Sequence, residues 1–208
     1  MKKILVILVL CLSPYAVSAQ WLIGGKIGTN LSKLVNYPDI GGISGDILFD
    51  FESKLGTNIG AVANYQINNN FAVQGELLYS LSQYKDTNFA FDNDENDFVN
   101  SNLNYKRHSI DLPLLIQYYP FGRNLGFNLE AGVHTGFEVA EHIKYEDNKM
   151  DSLWDSKPIS CGIIIGTSYM SRSNWLVDLR YVFGLTDGYK DVDGLNLRSL
   201  QLSIGYLF

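Results

Sequence analysis

The chain has 208 residues, 46% of them hydrophobic and 13% aromatic, and its formal net charge is -6. This length suits one domain, and the acidic balance argues against nucleic acid as a partner, because such a partner requires a cationic surface. Cys161 is the sole cysteine beyond the N-terminal segment, so the sequence predicts no internal disulfide.

The N-terminal segment has the pattern of a secretory signal. Two lysines and an apolar run over residues 4–12 are followed by small residues before Gln20. The run is too short to cross a bilayer as a helix, which needs about 20 residues. We therefore predict a signal peptide over 1–19 and a mature domain over 20–208. No later stretch is long and apolar enough for a transmembrane helix, so the mature chain is expected to be an exported soluble domain or a β-barrel.

Eight segments alternate apolar and polar residues, which is typical of strands with two different faces. In 127–139, the odd positions from Phe127 to Val139 are mostly apolar, whereas the even positions from Asn128 to Glu138 are mostly polar or charged. The predicted strands cover 21–30, 54–66, 71–84, 105–119, 126–140, 158–170, 175–186 and 196–208.

The predicted connections alternate in length. They are long at 31–53, 85–104 and 141–157, short at 67–70, 120–125 and 171–174, and medium at 187–195. Outer-membrane barrels carry long loops outside and short turns in the periplasm, whereas a soluble sandwich does not explain the alternation. We therefore predict an all-β, eight-stranded antiparallel up-and-down transmembrane β-barrel in the bacterial outer membrane. Both termini would be periplasmic and the long loops extracellular.

Aromatic residues cluster near the predicted periplasmic strand ends. They are Trp21, Tyr65, Phe71, Tyr118, Phe127, Tyr169, Trp175 and Tyr206. Amphipathic rings at one level are typical of the girdle at a lipid–water boundary, although core aromatics of a sandwich are the alternative.

The last predicted strand alternates apolar and polar residues up to Phe208. This pattern resembles the sorting signal that the barrel assembly machinery reads in the Gram-negative envelope. The expected partners are thus that machinery, outer-membrane lipid and envelope proteins. In the fourth strand, Pro113 is predicted to face the lumen, and its missing N–H predicts a bulge or a bend there.

Three segments resemble the PorT-like outer-membrane β-barrel family. Residues 25–32 (GKIGTNLS) resemble its first strand, residues 110–118 (IDLPLLIQY) resemble a strand with an IPLLLKY-like run, and residues 203–208 (SIGYLF) resemble its closing strand. Asp111, Leu112 and Gln117 depart from the usual Glu, Ile and Lys of that run. The resemblance implies an outer-membrane barrel of about eight strands. It implies no single activity, since the namesake assists a secretion system and catalytic residues are not carried over.

The lumen is predicted to contain ionisable side chains from most strands. They are Lys26, Glu76, Asp111, Glu130, His134, Glu138, Asp178 and Arg180. Buried charges require partners, and an eight-stranded barrel is normally filled by its own side chains. These residues therefore predict a structural ion-pair network, with a proton path or a small pore as the alternative.

Two other groups of residues suggest chemistry or contacts. His108, Ser109 and His142 lie near the predicted outer rim beside Glu138 and Glu141, but neighbours on a strand face opposite sides, which argues against a hydrolase. The acidic run 92–97 departs from a calcium-binding loop at its sixth and twelfth positions, which leaves weak divalent binding or a solvated surface loop as its alternatives. In the same predicted loop, Phe89, Phe91 and Phe98 are candidates for partner contacts or for a cover over the barrel mouth.

The sequence thus predicts a non-enzymatic barrel with no catalytic residue, no metal site and no cofactor. A surface or structural role, or an accessory role in a secretion machinery, is the first function hypothesis. A small channel or ligand-binding barrel is the second, and a hydrolase at the rim is the third.

Overall fold

A computed structural model describes residues 20–35, 51–93, 97–145, 148–150, 158–187 and 196–208. Side chains are described over 20–33, 53–83, 104–142, 158–186 and 196–208. The strands are β1 (Trp21–Val35), β2 (Phe51–Gln66), β3 (Phe71–Asn93), β4 (Asp97–Tyr118), β5 (Phe127–Tyr145), β6 (Asn148–Met150), β7 (Ile159–Met170), β8 (Trp175–Asp187) and β9 (Asn196–Leu207). A 3₁₀-helix, Arg123–Leu125, connects β4 to β5.

The strands close into a single antiparallel barrel. Each long strand pairs with the next one along the chain, and β1 pairs with β9 to complete the ring. Short β6 pairs with the end of β5, so eight strands form the wall. The predicted eight-stranded up-and-down barrel is therefore confirmed. Among the described residues, no helix has the length and apolarity needed to cross a membrane.

Three tight connections define one end of the barrel, which we call the turn end; the opposite end is the loop end. The turn-end connections cover 67–70, 119–126 and 171–174. Gly122 and Gly126 have φ angles of 75° and 76°, and Asn174 has a φ of 61°. Glycine and asparagine tolerate this left-handed region best, which explains their positions at these turns.

The strands at the loop end are longer than the sequence predicted. β3 and β4 remain paired as far as Asn93 opposite Asp97, so the predicted loop 85–104 is mostly a hairpin. β5 likewise extends to Tyr145 and pairs with β6 inside the predicted loop 141–157. Continued pairing satisfies backbone N–H and C=O groups, which favours extension of neighbouring antiparallel strands beyond the barrel wall.

The two faces of the wall have the inverse of a soluble protein's polarity. Outward Ile59, Ile116 and Leu202 are 56%, 60% and 54% exposed, whereas inward Gln74 and Arg180 are 0% and 1% exposed. Soluble proteins bury large aliphatic side chains and expose charged ones. The exposed apolar wall therefore matches the lipid-facing surface of a transmembrane barrel.

The predicted aromatic cluster forms a ring at the turn end. Its cross-strand pairs are Trp21–Tyr65, Phe71–Tyr118, Phe127–Tyr169 and Trp175–Tyr206. The ring centroids of the first, second and fourth pairs are 4.8, 5.1 and 5.3 Å apart. Adjacent amphipathic rings at one level are the arrangement expected at a lipid–water boundary.

Near Pro113 the pairing between β3 and β4 is interrupted, but its register does not change. β3 and β4 pair at Gly75–Leu114 and again at Leu78–Asp111 in the same register. Of the two predicted alternatives at Pro113, the bulge is therefore wrong, whereas the interrupted pairing agrees with the predicted loss of a ladder hydrogen bond. The bulge next to this strand lies in β5, where Glu138 and Ala140 oppose Ser109 and His108.

Gly24 is required where β1 approaches β9. A Cβ atom on Gly24 would lie 1.9 Å from the Tyr206 carbonyl oxygen, whereas a Cβ atom on Gly25 would meet nothing closer than the Gly60 oxygen at 3.6 Å. We expect Gly24→Ala to lower the free energy of unfolding by about 1–3 kcal/mol. Gly25→Ala is the matched control and should be close to wild type. Urea unfolding in micelles measures both, and equal stability of the two variants would contradict the close contact.

Candidate functional site

Two side-chain clusters fill the lumen near the turn end. One is apolar and consists of Val62, Met170, Leu176 and Leu207, with Leu22 packed against it. The other is built from amides: Asn64 donates to Gln117 Oε1 at 2.8 Å, and Gln117 donates to Gln74 Oε1 at 3.1 Å. Tyr119, just beyond β4, donates to Gln117 at 3.2 Å. Burial raises the pKa of Tyr119 to about 12, so its hydroxyl remains a donor well into the alkaline range.

On the loop-end side of these clusters, five charged side chains meet around Arg180. The Arg180 guanidinium lies 2.8 Å from Glu76 and 3.4 Å from Asp178, and it also contacts Glu130. Lys26 Nζ lies 3.2 Å from Glu76 and 2.9 Å from Asp178. All five side chains have 0% exposure. We call these residues the ion cluster; it contains two cations and three carboxylates from β1, β3, β5 and β8.

The strand pattern explains why the ion cluster forms. Each member occupies an inward position, and closure of the barrel brings distant strands face to face across the lumen. Lys26 and Asp178 are 152 positions apart in the chain. Gly166 provides space on β7, since a Cβ atom there would lie 2.9 Å from Arg180 Cγ.

Neutral donors complete the ion cluster. Gln74 donates to Glu76 at 2.6 Å, and Gln117 donates to Glu130 at 3.2 Å. The amide cluster and the ion cluster are therefore continuous. Hydrogen bonds of this kind offset part of the desolvation cost of buried carboxylates.

The other three predicted lumen residues form a separate group nearer the loop end. His134 Nε2 lies 3.4 Å from Asp111, and Glu138 pairs with Arg107 at 2.8 Å. A cavity of about 40 Å³ lies among Asp111, His134, Arg107 and several serines. A space of this size suits about one water molecule.

Sequence reasoning missed Arg107. It lies four positions before Asp111 on β4, and Tyr105, Arg107 and Asp111 are all buried on the inward face. The same alternation that identified Asp111 therefore carried the signal for Arg107.

The histidines near the loop end do not form a hydrolase site with Ser109. His108 Nδ1 lies 2.6 Å from the Tyr79 hydroxyl, and its ring centroid lies 5.7 Å from that of His142. These three rings lie on the outward face, whereas Ser109 lines the inner cavity. The wall of the barrel thus separates the serine from both imidazoles.

The residues predicted to contact a partner or to bind calcium lie partly outside the described residues. The backbones of Phe89, Phe91 and Phe98 lie in the paired β3–β4 hairpin, but their side chains lie outside the described residues. Residues 94–96 of the acidic run also lie outside them, as does the predicted signal peptide 1–19. In the part of the chain that is described, no group of three His, Cys, Asp or Glu side chains is placed to hold a metal ion. Cys161 is a free, exposed thiol.

Comparison with known proteins identifies the family. The model of the outer membrane protein beta-barrel domain matches residues 15–189. No curated protein sequence matches the chain. One similar solved structure is Ail, the attachment invasion locus protein of Yersinia pestis, with 16% identity, a TM-score of 0.47 and coverage of 91% of this chain and 99% of that one. Another is Neisserial surface protein A, with 16% identity, a TM-score of 0.48 and coverage of 90% of this chain and 95% of that one.

A third similar structure is OprG from Pseudomonas aeruginosa, with 15% identity, a TM-score of 0.46 and coverage of 91% of this chain and 95% of that one. The assignment itself depends on the family model, which covers most of the chain. The closed barrel, the exposed apolar wall and the buried polar lumen agree with it. The chain therefore belongs to the outer membrane protein beta-barrel domain family and is an integral barrel of the bacterial outer membrane.

Proposed function

We propose that this protein is a non-enzymatic, non-conducting barrel that acts at the cell surface through its loop end. In this proposal the turn end faces the periplasm and the loop end faces outward. The β3–β4 hairpin, which extends to Asn93 and Asp97, is then the longest external element among the described residues. Short periplasmic turns and long external segments are the usual arrangement in this class of barrel.

The observation that carries the proposal is the complete burial of the ion cluster. Lys26, Glu76, Glu130, Asp178 and Arg180 cross-link four strands with no exposed side-chain surface. A passing ion would have to break several of these contacts and leave charges unpaired at low dielectric, which is strongly unfavourable. The cluster therefore favours a structural role for the lumen.

The alternative functions have weaker support. A cavity of about 40 Å³ near Asp111 and His134 is far below the roughly 300–1,000 Å³ of small-molecule sites, which disfavours a ligand-binding barrel. A hydrolase requires a base within hydrogen-bond reach of its nucleophile. His108 and Ser109 face opposite sides of the wall, which disfavours a hydrolase.

Conductance in planar bilayers tests the closed lumen. We expect no steady channels from the wild-type protein. K26A/D178A opens space beside Arg180 without changing the net charge, and it should also show no steady current, because the apolar cluster still fills the lumen at the turn end. R107A/E138A removes an ion pair closer to the loop end, also without changing the net charge, and its lumen should remain closed. Steady, ion-selective channels from the wild-type protein would contradict the proposal.

A more specific proposal is an accessory role in a secretion machinery. Its support is the resemblance of residues 25–32, 110–118 and 203–208 to the PorT-like family. Mild crosslinking in native membranes, followed by identification of the captured proteins, tests it. Capture of secretion components would support the role, whereas capture of only lipid and the barrel assembly machinery would contradict it. The same experiment tests whether the strand ending at Phe208 contacts that machinery.

A further inference from the structure

The outer wall carries two cations side by side near the loop end. Lys33 on β1 and Arg198 on β9 are direct cross-strand partners. Their neighbours Ser32 and Ser199 are buried in the lumen, so Lys33 and Arg198 lie on the outward face. Directly opposed residues have Cβ atoms about 4.5–5.5 Å apart, and like charges at such positions repel each other.

No described carboxylate lies on the same face. The described carboxylates of the strands occupy inward positions: Glu76, Asp111, Glu130, Glu138, Glu141 and Asp178. Lys106 on β4 is a third outward cation, and it is paired with His142 and Gln83 rather than with an acid. Within the described side chains, the outward charge at this end is thus entirely positive. This charge is complementary to an anion outside the barrel.

The aromatic ring marks the boundary of the apolar wall at the turn end, and the pair lies where the boundary at the loop end is expected. Lys33 lies twelve positions after Trp21 of the aromatic ring. At about 3.3 Å per residue and a strand tilt of about 40°, the two residues are separated by about 30 Å along the barrel axis. The apolar band of such barrels is about 25 Å tall. The outward residues between them are uncharged: Ile23, Gly25, Ile27, Thr29 and Leu31.

We propose that Lys33 and Arg198 together bind the phosphate of an anionic membrane lipid. Arginine donates in a planar fork that fits phosphate, and lysine adds a second charge on a flexible stem. Leu31 and Leu200 lie directly next to the pair on the wall and are each 43% exposed. A lipid covers these side chains with its acyl chains while its headgroup neutralises the cations. A soluble phosphate satisfies only the second requirement, which favours the lipid as the source.

Native mass spectrometry of the full-length barrel in mixed micelles tests this site. Phosphatidylglycerol and phosphatidylcholine are titrated separately, and the bound copies are counted. We expect phosphatidylglycerol to bind more tightly, and K33Q/R198Q to weaken its binding about 10- to 30-fold. K33R/R198K preserves both charges and should remain within about threefold of wild type, because phosphate accepts hydrogen bonds from either side chain. Circular dichroism verifies that each variant is folded.

K106Q/R172Q is the matched control, because it removes the same number of charges from two separate positions. We expect it to remain within about threefold of wild type, since neither change disrupts the pair. An equal loss in both double variants, or no loss in K33Q/R198Q, would overturn the proposal. Glycerol phosphate provides the arm for a soluble anion; binding as tight as that of phosphatidylglycerol would overturn the lipid assignment.

Salt provides a test that needs no variant. Binding of phosphatidylglycerol to the wild-type protein should weaken as ionic strength rises. The Debye length shortens from about 10 Å at 0.1 M salt to about 3 Å at 1 M, so the attraction between exposed cations and the phosphate is increasingly screened. Binding that is independent of salt would mean that apolar contact alone retains the lipid, and it would overturn the role of Lys33 and Arg198.

Discussion

Replacing Arg180 by methionine is expected to lower the free energy of unfolding by about 3–5 kcal/mol, because it leaves buried carboxylates uncompensated. Arg180 contacts Glu76, Glu130 and Asp178, and Lys26 would remain as the one cation of the ion cluster. Methionine has a similar length and no charge, so the change removes electrostatics more than volume. Urea unfolding in detergent micelles, followed by circular dichroism, measures the loss.

Two further variants separate charge from packing. R180M/E130Q removes one carboxylate together with the cation and should recover part of the stability, since it restores the original net charge of the ion cluster. Arg107→Met is the comparison near the loop end, where Arg107 pairs with Glu138 beside a cavity. We expect it to cost less than Arg180→Met. A smaller loss at Arg180 than at Arg107 would show that the ion cluster does not hold the strands together.

Leu202→Arg is expected to lower stability in a bilayer by about 2–4 kcal/mol, the cost of a lipid-facing arginine at the membrane centre. Leu202 is 54% exposed on the outer wall and lies four positions from Tyr206 of the aromatic ring. It also lies four positions from Arg198, which places it halfway between the two boundaries of the apolar band. Reversible unfolding in lipid vesicles is the appropriate measurement.

Leu125→Arg is the matched control. Leu125 is 59% exposed in the 3₁₀-helix at the turn end, outside the apolar band. The same substitution at similar exposure should cost less than about 1 kcal/mol there, because the arginine remains in water. If both substitutions had the same small effect, the outer wall would not be in contact with hydrocarbon. The pair thus measures the environment of the wall and not merely its exposure.

The sequence predicted the wall of the barrel well, because side chains on a strand alternate with a strict period of two. That period assigned Leu202 to the outside and Arg180 to the inside before any partner was known. It also identified the aromatic ring, since each member lies near a strand end. The loop-end hairpin escaped prediction because strands that leave the membrane lose their apolar face. Residues 85–104 therefore resemble a polar loop in sequence, although their backbones are mostly paired.

The sequence by itself determined which face each side chain occupies, and hence that charged residues from four strands enter the lumen. The tertiary structure alone decided which of them meet. Lys26 reaches Asp178 across 152 positions of sequence, while Asp111 and His134 form a separate group nearer the loop end. The physical reason is that strand alternation is local, whereas the height of each residue in the lumen depends on strand tilt and on the register with which β1 closes onto β9.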